Sequence, residues 1–126
     1  GNTAAARQRV VRHGDGWCPF PAPPGLAQTA RTAAIDSLER LGEDVDDLRR
    51  RFDAAGRDWS PIDIIFSNFE GGSPADDDFS ADAYLEGVRK LEALGVTWLN
   101  VAISGDSLQR ALESIERFGS LVIHAA

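Results

Sequence analysis

"PIDIIFS", residues 61–67, decides how this chain is read. Its apolar, largely β-branched run has no polar alternation, which is the mark of a strand covered on both faces. "VTWLNVAIS", residues 96–104, has the same character. Two such runs separated by a helical stretch predict neighbouring parallel strands rather than a hairpin.

Working outward, Ala81 to Leu94 reads as the intervening helix, with Leu85, Val88 and Leu91 as its inner face and Gly95 as its cap. After the last strand, Asp106 opens a helix in a capping-box pattern with Gln109. Leu108, Ala111, Leu112, Ile115 and Phe118 give that helix an apolar stripe, and Gly119 ends it. Upstream, residues 28–41 read as a helix with Ile35, Leu38 and Leu41 on one face, stopped by Gly42. A second helical segment carries Val45, Leu48 and Phe52 and stops at Gly56. "NTAAARQRVVRHG" is a short helix capped by Asn2 or Thr3, with Gly14 beyond its end. "DGWCPF" is a short strand halted by Pro19 and the loop "PAPPG". Strands near 15–20, 62–67 and 97–103 should therefore lie parallel in that order with helices on one side. The acidic loop "GGSPADDDF" reads as a solvated connection.

Composition bounds the function. At 126 residues the chain holds one domain, or a fragment of a larger one. A net charge of −7 and no basic stripe argue against nucleic acid as partner. No run reaches the ~20 apolar residues of a membrane span, and no signal peptide is seen. The single cysteine, Cys18, has no internal disulfide partner, which suits a cytoplasmic location. The chain has no methionine, as a processed chain or fragment would. Three parallel strands suit either an open doubly wound sheet or the last units of a closed barrel of about 250 residues. On strand count the two stay open.

"GNTAAARQRVVRHGDGW" resembles the segment of luciferase-like monooxygenases in which a Gly-Gly-Asn-type turn leads into a helix and an Asp-Gly-Trp strand. "AAGRDWSPIDIIF" and "LEALGVTWLNVAI" resemble that family's last two strand units. The resemblance implies a parallel α/β architecture in which residues 1–126 are the C-terminal portion of an eight-stranded (β/α) barrel, strands six to eight. It implies a flavin- or deazaflavin-dependent oxidoreductase that moves a hydride to or from its coenzyme, with coenzyme F-420 favoured and FMN as the alternative. A small-molecule substrate would share the pocket. The N-terminal half-barrel would be absent, so the chain alone would be inactive, with that half or a homo-oligomer as its partner.

The same resemblance implies a coenzyme phosphate near the turn of Gly1, Asn2 and Thr3, where helix N–H groups favour an anion. Asp15, Gly16 and Trp17 would form a pocket wall, Gly16 allowing close approach because it lacks a Cβ. Each has a plainer reading as helix cap, strand start and core aromatic. Ser67 and Ser104 end their strands, where parallel folds place ligands. Asn100, sharing a strand face with Trp98, reads as a buried amide in need of partners. His13, His124 and Cys18 show no ligand spacing, so no metal is expected, and no catalytic residue is assigned. A reading from a different class is a non-catalytic module that assembles through open sheet edges.

Overall fold

A computed structural model describes residues 1–125. Helix α1 (Ala4–His13) begins where the Thr3 hydroxyl accepts the Ala6 N–H at 3.1 Å. Its far end is closed by a distant side chain. Arg57 donates to the carbonyls of Val10 (3.1 Å), Val11 (2.8 Å) and Gly14 (3.1 Å); Val10 also accepts the Gly14 N–H at 2.8 Å, so it is the Val11 oxygen, orphaned by the helix end, that Arg57 satisfies. Strand β1 is only Gly16–Trp17.

The helix expected over residues 28–41 does not form. Instead α2 spans Pro24–Thr29, and Ile35 bridges antiparallel to Ala22. Helix α3 then runs Leu38–Ala54 straight through Gly42. Ser37 starts it by accepting the Arg40 N–H at 3.2 Å. Leu38, Leu41, Val45, Leu48 and Phe52 make one stripe, and burying it outweighs the roughly 1 kcal/mol that a mid-helix glycine costs. The chain leaves α3 at Gly56, whose φ of +65° suits glycine.

Strand β2 (Asp63–Ser67) lies between β1 and β3 (Trp98–Asn100), all parallel and in the predicted order. The register pairs Trp17 with Ile64, Phe66 with Leu99 and Ser67 with Asn100. Trp17, Ile64 and Phe66 face the helices and build the main core with Leu41, Leu48 and Leu91. On the opposite face Ile65 and Ser67 are half-buried, Asn100 is exposed and Trp98 is 62% exposed. One side of the sheet is covered and the other is open.

Two side chains and one strand bear on the expectations from sequence. Trp17, open there between pocket wall and core aromatic, is a core aromatic: it is 2% exposed because it points at the helices. Asn100, expected to be buried, lies on the open face. Strand β3 is shorter than expected, and beyond it the Ala102 carbonyl accepts the Ser73 hydroxyl at 3.0 Å rather than continuing a ladder.

Helix α4 (Ala81–Leu94) has the expected bounds and a left-handed Gly95 cap. Its buried face is Tyr84, Gly87 and Leu91, with Leu85 and Val88 only half-covered. Helix α5 (Leu108–Phe118) is capped by Ser107, not Asp106, and continues through Gly119 into a π-helical turn, Gly119–Ile123. Its stripe faces outward: Leu108 is 77% exposed, and Leu112 and Ile115 are each 51% exposed. Phe118 and Val122 hold it to a small second cluster around Phe79 and Tyr84. The architecture is mixed α/β, an open three-stranded parallel sheet with five α-helices among the described residues.

Candidate functional site

The C-terminal ends of β2 and β3 form the polar edge of the open face. Ser67 closes β2 beside Asn100, and the Asn100 amide reaches to 4.0 Å from the Cys18 sulfur. Asn68, next along the chain, turns the other way. Its amide donates to the Tyr84 carbonyl at 2.7 Å and its oxygen accepts the Glu70 N–H at 3.1 Å. Gly87 is what lets Asn68 lie so close, since a Cβ there would meet the Asn68 amide group. This fixes where Ser67 ends its strand relative to α4.

The loop after β2 is not merely a solvated connection. Gly71 and Gly72 adopt φ of +81° and +75°, and the Gly71 carbonyl accepts the Ser80 N–H at 2.9 Å. A Cβ on Gly71 would stand 2.5 Å from the Tyr84 nitrogen. Folded down in this way, Gly72 and Ser73 wall a recess of about 170 Å³ with Ser67, Tyr84 and Asn100. The paired glycines were the one sequence signal for this wall. A second, wider recess of about 530 Å³ lies beside it, lined by Asp76, Asp77, Ser104, Asp106 and Arg110. There the Ser104 hydroxyl is occupied locally, accepting the Asp106 N–H at 3.3 Å and lying 3.3 Å from its carboxylate.

Other expected site residues are distributed differently. Asn2 is fully buried and fully engaged. Its N–H donates to the Thr32 hydroxyl at 3.1 Å, its amide to the carbonyls of Phe20 (2.9 Å) and Ala33 (3.0 Å), and its oxygen accepts the Phe20 N–H at 3.1 Å. Gly1 offers its carbonyl to the Trp17 indole N–H at 3.0 Å. Thr3 caps α1, leaving the N–H groups of Ala4 and Ala5 as the helix donors without intrahelical partners. Gly16 is bare because β2 is close: a Cβ there would sit 3.0 Å from the Asp63 carbonyl oxygen. Asp15 has a fully exposed side chain, 3.9 Å from Arg57. It lies beside Asp63, at the start of β2, where its carbonyl accepts the Asp63 N–H at 3.3 Å. Asp63 and Ser67 are four residues apart, about 13 Å along an extended strand, so Asp15 stands at the opposite end of the sheet from Ser67.

An ion network between α1 and α3 had no signal in the sequence. Arg7, 6% exposed, contacts Asp44 at 3.0 Å and Asp47 at 2.7 Å and also donates to the Asn2 carbonyl at 2.9 Å. Burial raises the Asp44 pKa despite Arg7 and Arg40 beside it. Burial also pushes Asp47 upward, but hydrogen bonds from Arg51 and Arg7 outweigh it and hold Asp47 below its ordinary value. Burial raises the Tyr84 phenol, which favours its neutral form, and its hydroxyl has no partner among the described residues.

Among the described residues no group of three His, Cys, Asp or Glu side chains is arranged to hold a metal ion. No helix among them is long and apolar enough to cross a membrane. Comparison of the chain with family models, with curated proteins and with solved structures finds no match.

Proposed function

We propose that this chain forms one wall of a luciferase-like oxidoreductase barrel, whose coenzyme is the deazaflavin F-420 or, alternatively, FMN. The observation that supports this reading is the one-sided sheet: parallel strands in sequential order, helices on one face, and an open face with a polar edge at Ser67 and Asn100. A barrel wall has that construction, because its inner face is completed by strands from elsewhere. The recess of about 170 Å³ is smaller than the roughly 300 Å³ at which ligand pockets begin, so these residues suit one side of a bound ring.

The coenzyme, when bound, supplies the hydride chemistry. The residues of this chain would orient it. Ser67 and Asn100 offer hydroxyl and amide groups to the ring edge, and Trp98 on the same face excludes water. The free N–H groups of Ala4 and Ala5 suit a phosphate, with Asn2 holding that turn in place. Absorbance titration with each coenzyme tests the reading. Ser67→Ala and Asn100→Ala should each weaken binding about tenfold, close to 1.4 kcal/mol, while Asp15→Asn at the far end changes nothing. Absence of binding to either coenzyme by the protein that carries this chain would end the proposal.

The second reading, an assembly module, is favoured by different observations: the outward stripe of α5 and the uncovered Trp98.

A further inference from the structure

We draw no further inference here: the strongest candidate, the recess between Ser67, Tyr84 and Asn100 at the ends of β2 and β3, belongs to the site already described.

Discussion

Asn2 shows how much one residue can do without touching a ligand. Its amide spans two carbonyls, in Phe20 and Ala33, that lie on separate segments. Asn2→Asp would remove both donors and set a carboxylate against two buried oxygens. Losing a buried donor pair and stranding a charge costs about 3–5 kcal/mol, so denaturant unfolding should show a loss of that order. The sequence marked Asn2 as interesting but not why, because its partners are 18 and 31 residues away. Asp47 carries a prediction about pH. Its folded pKa lies below the ordinary 3.8, so its contribution is complete above pH 3.8 and disappears as pH falls through the lower folded value. Asp47→Asn should therefore melt below the parent at neutral pH, and the gap in Tm should narrow once the pH drops under 3.8. Asp44, raised chiefly by burial, acts in the opposite direction, and Asp47→Asn removes one of the smaller causes that raise it, the Asp47 charge.

The elements were legible where one signal dominated. Helix α4 carries both a Ser80 cap and a Gly95 stop, and its bounds came directly from the sequence. Helix α3 was misread because Gly42 looks like a terminator. The stripe from Leu38 to Phe52 runs through it, and only the fold shows Leu94 packing there, 3.2 Å from where a Cβ would lie. That neighbour is the tip of a flexible, half-buried side chain, able to yield by a few tenths of an ångström. Gly42→Ala should therefore gain about 0.5–1 kcal/mol from helix propensity and reduced unfolded-state entropy, read as a rise in Tm. A fall in Tm would mean that Leu94 cannot move. Strand facing was less legible than strand position. Continuously apolar runs such as residues 61–67 do not say which side is covered, so the sequence leaves Trp17 open between core and pocket wall and misplaces Asn100 as buried. The α5 stripe was visible in the sequence, but whether this chain covers it was not.

On the scale of the whole molecule, parallel order was readable because each strand is followed by a helical segment that must cross back over the sheet. The candidate site was less so. Ser67 and Asn100 meet only through the register of β2 and β3, and Asp15 was separated from them by its place at the start of β1. The Arg57 clamp on α1 bears on the order in which the molecule folds. At 10 residues α1 is shorter than the ~12–15 that an isolated helix needs to persist in water. The clamp that finishes it comes from 43 to 47 residues downstream. Closing a loop of that length costs about 3 kcal/mol of chain entropy, beyond a constant, before any contact is gained. Helix α1 is therefore expected to mature late, after α3 has formed and Arg57 has reached its position, and φ-values near zero for substitutions in α1 would show it. Helix α4, whose two ends are capped within a few residues, is free to form early.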